Sequence, residues 1–322
     1  MKTNNTSTTG ARPRAFSTLL IAATAAAVWA MPTTACGQIF VGNYPNGTIG
    51  KYNLDGTTVN ASLISGVGLP FSIAVSGSNL FVTNYGIGTI GEYTTSGATV
   101  NASLVEGIAP YGLVASGGNL FVVDFNNGTI REYNATSGTP VISFSVSGLV
   151  QPQGLAVYGN NLFVTELGSG QDNGRIGEYD TATGATVNAS LVTGLANPRA
   201  IAVSVDGADL FVANTNTSSI GEYTTSGATV NARLITSGEG LIFPEGIAVS
   251  GGDLFVANYN GSGGGLISEY TTAGATVNTT LVSSNGPVSV AVVAPEPSTC
   301  ISLAFGAAAL LARRRRSLKL HQ

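Results

Sequence analysis

Leu210-Phe211-Val212-Ala213-Asn214 is a short apolar run closed by an amide, and the chain restarts it six times. The other copies open with Ile39-Phe40-Val41, Leu80-Phe81-Val82, Leu120-Phe121-Val122, Leu162-Phe163-Val164 and Leu254-Phe255-Val256. Successive starts lie 41, 40, 42, 48 and 44 residues apart. A period of this size marks propellers or solenoids. Working outward from the run, each period offers four short β-branched or alternating stretches between Gly, Asn or Asp turns, and none has helical spacing. In the second unit these stretches are 72–76, 80–84, 89–94 and 99–105. Asn46-Gly47 and Asn127-Gly128 supply the positive φ values of tight hairpins.

Four antiparallel strands repeated six times predict an all-β fold, a six-bladed β-propeller. A β-helix solenoid, the alternative, needs shorter and more even coils. The predicted domain, residues 38–293, opens on the second strand of a unit, Ile39-Phe40-Val41. It ends on the first strand of a unit, Pro287-Val288-Ser289-Val290-Ala291-Val292. The last strand is therefore expected to complete the first blade and pair an edge that otherwise invites aggregation.

The unit resembles the NHL repeat. In the fifth copy, Pro198-Arg199-Ala200-Ile201-Ala202-Val203 leads to the turn Asp206-Gly207, then Leu210–Asn214, then Ser219-Ile220-Gly221-Glu222-Tyr223. Gly91-Glu92-Tyr93 and Gly177-Glu178-Tyr179 repeat the end of that signature. The resemblance covers 38–293 and implies the fold, not an activity, because propellers host many unrelated functions.

Both ends read as export signals. Ala294-Pro295-Glu296-Pro297-Ser298-Thr299 precedes an apolar run, 300–312, and then Arg313, Arg314, Arg315 and Arg316. This segment, 294–316, resembles the PEP-CTERM sorting signal, which implies recognition by an exosortase-type enzyme and transient inner-membrane insertion. The run is shorter than the roughly 20 residues that span a bilayer comfortably, and the arginines would hold its far end, with residues 317–322, in the cytoplasm. A permanent anchor is the alternative. At the other end, Lys2, Arg12 and Arg14 precede an apolar stretch, 16–31, a secretory signal layout over residues 1–37. Cleavage before Gln38 is expected; lipidation at Cys36 is the alternative, although Thr33-Thr34-Ala35 lacks the expected Leu.

Removing both ends leaves only Lys51, Arg131, Arg175, Arg199 and Arg233 as cations, so the remaining domain is clearly acidic. Nucleic acid is thereby disfavoured as a partner, since its phosphates demand a basic surface. Cys36, Cys300 and the single histidine, His321, all fall outside the propeller. No disulfide, His base or Cys nucleophile is then expected in it.

Against the repeated frame, the residue after each linking proline varies most: Phe71, Tyr111, Gln153, Arg199, Glu245 and Val288. If the first strand is innermost, these ring the mouth of the central channel, either as a polar, stacking site for sugar-like groups or merely as its cap. Loops of uneven length, 168–174, 238–243 and 261–265, fall on the same face, where binding surfaces usually lie. A second ring ends strand two: Asn43, Asn84, Asp124, Glu166, Asn214 and Asn258. Its oxygens suit a hard cation such as calcium, with Asp124 and Glu166 as candidate metal ligands. The arrangement resembles that of gluconolactonase-like propellers, which implies a metal-dependent hydrolase. The competing reading is turn chemistry repeated in every blade. The resemblance to streptogramin lyases, also propellers, lacks its histidine here. Glu92, Glu132, Glu178, Glu222 and Glu269, on third strands, are expected to be solvated. The leading expectation is a noncatalytic binding or adhesion propeller, with no cofactor, on the cell surface or in the exopolysaccharide matrix. Its partner there would be the polysaccharide or a surface protein. A metal-dependent hydrolase and an inert matrix filler are the alternatives.

Overall fold

The computed structural model describes residues 37–170 and 172–294. The leader, Cys36, Pro295, Glu296, Pro297 and the arginines Arg313–Arg316 lie outside the described residues. Among the described residues, no helix is long and apolar enough to cross a membrane.

The described chain is a six-bladed β-propeller of antiparallel sheets, five of them ordered by sequence and the sixth begun by the last strand of the domain. Blade two is Ile73–Ser76, Asn79–Asn84, Thr89–Thr94 and Thr99–Glu106. The ring closes as the sequence predicts: Pro287–Val293 pairs antiparallel with Gln38–Asn43, with Ile39 opposite Val292 and Val41 opposite Val290. That pairing removes the free edge left by a blade built from the two ends of the domain.

The repeated apolar run is buried for a reason that the register makes plain. Phe81 pairs with Glu92, and Leu80 pairs with Tyr93, so neighbours in sequence face opposite sides of the sheet. The Phe side of one blade packs against the Leu, Val and Tyr side of the next. Phe81 thus meets Leu120, Val122 and Tyr133, and Phe255 meets Ile39, Val41 and Tyr52 across the closure. Phe40, Phe81, Phe163, Phe211 and Phe255 are among the most deeply buried side chains. Each such burial contributes about 1.5–3 kcal/mol.

The glycine of the Gly-Glu-Tyr run makes room for its own tyrosine. A Cβ on Gly91 would lie 2.7 Å from Cε2 of Tyr93, and one on Gly177 2.8 Å from Cε2 of Tyr179. The outer strands end the blades with a bulge. Asn60 and Asn101 accept the N–H two residues on, at 3.0 and 3.1 Å, where the register against strand three shifts. Such bulges blunt an exposed edge.

Two expectations need correction. The third blade has only three regular strands, and its outer edge is reduced to the bridges Ile130–Val146 and Tyr133–Pro140. Where the other units read Thr-Val-Asn, this one reads Thr139-Pro140-Val141, and proline removes a ladder donor. Phe144 instead turns inward, edge-on to Phe121 at 5.1 Å. The third-strand glutamates are also not all solvated: Glu92, Glu132 and Glu178 are 6%, 6% and 8% exposed. Lying on the Phe side of the sheet, they are drawn between blades. Asn79 and Asn119 donate to Glu92 and Glu132 at 2.7 and 2.6 Å.

Candidate functional site

The first strand of every blade is the innermost, and the six strands line one central channel. Each strand but that of blade two opens on a proline: Pro110, Pro152, Pro198, Pro244 and Pro287. Pairing breaks just beyond the proline, between Pro110 and Leu113, Pro152 and Leu155, Pro198 and Ala200, and Pro244 and Gly246. A bulge of this kind re-aims a side chain. The residues skipped include Tyr111, Gln153, Arg199 and Glu245, the candidates singled out by their variability. With Phe71 and Val288 they line a cavity of about 300 Å³ in the channel.

Phe71 and Tyr111 stack with ring centroids 4.4 Å apart and planes 17° from parallel. The Nη1 of Arg199 donates to Tyr111 Oη at 2.8 Å and lies 3.2 Å from Glu245 Oε2. Burial, opposed by Arg199 and assisted by Glu245, pushes the Tyr111 hydroxyl up to about 12. Burial also raises Glu245, against the pull of Arg199. Burial of the Arg199 guanidinium lowers its affinity for the proton, but Tyr111 and Glu245 outweigh that and hold it charged. The mouth is therefore a locked ion pair beside an aromatic stack.

Two polar atoms there have no partner. Gln153 is 2% exposed, and its Oε1 accepts no hydrogen bond. The Nε of Arg199, also buried, donates none. Buried polar groups left unbonded cost stability and are rare.

The structure adds four aromatic residues that the sequence reading missed. Tyr44, Tyr85, Phe125 and Tyr259 each follow the residue ending the apolar run, after Asn43, Asn84, Asp124 and Asn258. Tyr44 lies 5.2 Å from Phe71, Phe125 lies 5.4 Å from Tyr111, and Tyr85 stands edge-on to both Phe71 and Tyr111. The signal was available in that one position of the repeat. Only its spatial meeting with the channel ring gives it significance.

Asp124 and Glu166, the candidate metal ligands, are both engaged by protein donors. Glu166 accepts from Arg175 Nε and Nη2 at 2.7 and 2.8 Å and from the Val150 N–H at 2.7 Å. Asp124 accepts from Asn127 Nδ2 at 2.7 Å and from the Ala109 N–H at 3.3 Å. Asn258 takes the Ile242 N–H, and Asn43 takes the Ser284 hydroxyl. The ring thus fastens the link entering each of these blades, whereas Asn84 and Asn214 keep an unbonded Oδ1. Among the described residues, no group of three or more His, Cys, Asp or Glu is placed to hold a metal.

No protein-family model matches the chain, and neither does any curated protein. Solved structures do match in fold. A chain of a nidogen/laminin complex is 13% identical, with TM-score 0.66 over 80% of this chain and 98% of that one. A protein from Lactobacillus plantarum is 17% identical, with TM-score 0.57 over 80% and 99%. Virginiamycin B lyase from Staphylococcus aureus is 21% identical, with TM-score 0.54 over 76% and 80%. At these identities the likeness is one of fold, a β-propeller shared by proteins of diverse function.

Proposed function

We propose that this chain is an exported propeller, delivered through its PEP-CTERM-like tail to the cell surface or exopolysaccharide matrix, where it acts as a noncatalytic binding module. The observation that carries the reading is the channel mouth: a stacked aromatic pair beside buried donor and acceptor atoms that the protein leaves unbonded. Retaining groups that cost folding energy is the mark of a surface kept for a ligand. The same mouth is poorly equipped for chemistry. Tyr111, with its proton held to about 12, is no base at neutral pH, and Glu245 is tied to Arg199. A metal-dependent hydrolase would need Asp124 and Glu166 free of the partners they have.

The test is retention on matrix from the producing cells. The full chain is expected to be retained, and Phe71→Ala with Tyr111→Ala to lose retention while still folded. Retention equal to that of the double variant sinks the reading and leaves an inert matrix protein.

A further inference from the structure

We infer that the ligand is an uncharged polysaccharide, laid along an aromatic lane on the loop face with a hydroxyl-bearing unit in the channel mouth. The inference rests on the binding-module reading above and names the chemistry that such a module would take.

The lane is a departure from the six-fold repeat. Ring centroids run unbroken from Tyr259 to Tyr44 at 6.5 Å, Tyr44 to Phe71 at 5.2 Å, Phe71 to Tyr111 at 4.4 Å, and Tyr111 to Phe125 at 5.4 Å. It crosses blades six, one, two and three, and every ring in it is half-buried, with part of its surface open to solvent. In blades four and five the equivalent places hold Leu167 and Thr215. A purely structural role would recur in all six blades, as the buried Phe does. The parts of these rings left open, those of Tyr259 and Phe125 at the two ends of the lane among them, offer apolar surface against which a sugar ring packs.

The polar end of the site begins where the lane stops. Arg199 Nε offers an unmet donor and Gln153 Oε1 an unmet acceptor. A hydroxyl group both accepts and donates, so hydroxyls satisfy both atoms. Charge argues for a neutral chain. Arg199, the only cation among the described residues that line the cavity, is already matched by Glu245. Around it, residues 37–294 carry sixteen Asp and Glu against five Lys and Arg. A polyuronate approaching this surface is repelled, whereas a neutral chain is not.

Calorimetric titration of the full chain tests this against four neutral backbones (glucan, galactan, mannan and xylan), alginate as the polyuronate, and deproteinised matrix polysaccharide. A neutral backbone is expected to bind, with affinity changing less than about twofold between 50 and 500 mM salt because no charges are exchanged. Tyr259→Ala, at the far end of the lane, should weaken binding about two- to tenfold. Gln153→Leu should weaken it at least about fivefold with little change in Tm, since Oε1 is unbonded in the free protein and Nε2 makes one long bond, 3.4 Å to the Gln151 carbonyl. Alginate binding tighter than every neutral chain overturns the inference, and so does neutral binding indifferent to both substitutions. Retention on crude matrix that protease abolishes, with no saccharide bound, overturns this inference and leaves the binding-module reading standing. No retention on either overturns both.

Discussion

Arg199 donates from Nη1 to the hydroxyl of Tyr111 at 2.8 Å, joining residues 88 positions apart in the chain. The contact reaches from blade five to blade three over the mouth of the channel, and the same nitrogen holds Glu245 of blade six.

Arg199→Met leaves Glu245 without its counter-charge and is expected to cost about 1–3 kcal/mol in urea denaturation at pH 7. Burial already raises the Glu245 pKa, and losing Arg199 raises it further. A carboxyl with a raised folded pKa is accommodated better when protonated, so the deficit should narrow between pH 7 and pH 5. A deficit that widens on acidification would contradict the pairing.

Burial likewise raises the pKa of Glu92, Glu132 and Glu178. Their contribution to stability is present below the unfolded carboxylate pKa and lost as pH rises through the folded values. Asp55, Asp206 and Glu239 are shifted the other way by hydrogen bonds from Thr57, Ser204 and Thr236, so their contribution is lost only as pH falls through those lowered values. Thermal scans from pH 3 to 8 should therefore place the Tm maximum on the mildly acidic side of neutrality. Glu92→Gln, which keeps an acceptor for Asn79, should flatten the neutral limb of the curve.

Gly91→Ala drives a methyl into the ring of Tyr93, 2.7 Å from Cε2. Overpacking of this kind costs about 1–3 kcal/mol. Gly252, around which nothing lies within 4 Å, is the control, and alanine there should change stability by no more than about 0.5 kcal/mol. Chemical denaturation of the two variants side by side decides it.

Calcium is expected to leave Tm unchanged after chelation, because Asp124 and Glu166 are occupied by protein donors. A ligand of the folded state must raise Tm, so a clear rise would restore the cation reading. Glu166→Gln, which weakens the bidentate contact with Arg175, should cost about 1–3 kcal/mol with or without calcium.

Ending the chain before Pro287 removes the strand that closes blade one. The exposed edge of Gln38–Asn43 should then promote association, visible as early elution in size-exclusion chromatography together with a lower Tm.

The blade pattern was legible because it is local. Alternation along Leu80–Asn84 and turns such as Asn127-Gly128 are set by neighbours in the chain, and repetition made them readable six times over. The ring of Phe71, Tyr111, Gln153, Arg199 and Glu245 was legible as variation against that frame. Its partners were not: the aromatic lane needs Tyr44 and Tyr259 to meet across the closure, which no linear spacing encodes. The solvated reading of Glu92 failed for the same reason, since the blade that buries it belongs to the next repeat. The third blade departs because Pro140 removes one ladder donor, a signal present in the chain but hidden by the repeat around it.

By itself the sequence determined the number of blades, their strand order and the closure by Pro287–Val293, because backbone pairing follows short-range alternation and a constant period. Tertiary structure alone decided which side chains meet. It set Arg199 between Tyr111 and Glu245, tied Glu166 to Arg175 and left Gln153 Oε1 unbonded. Those outcomes depend on distances across the channel and between blades, where burial strengthens each charge and hydrogen bond that finds a partner and penalises each that does not.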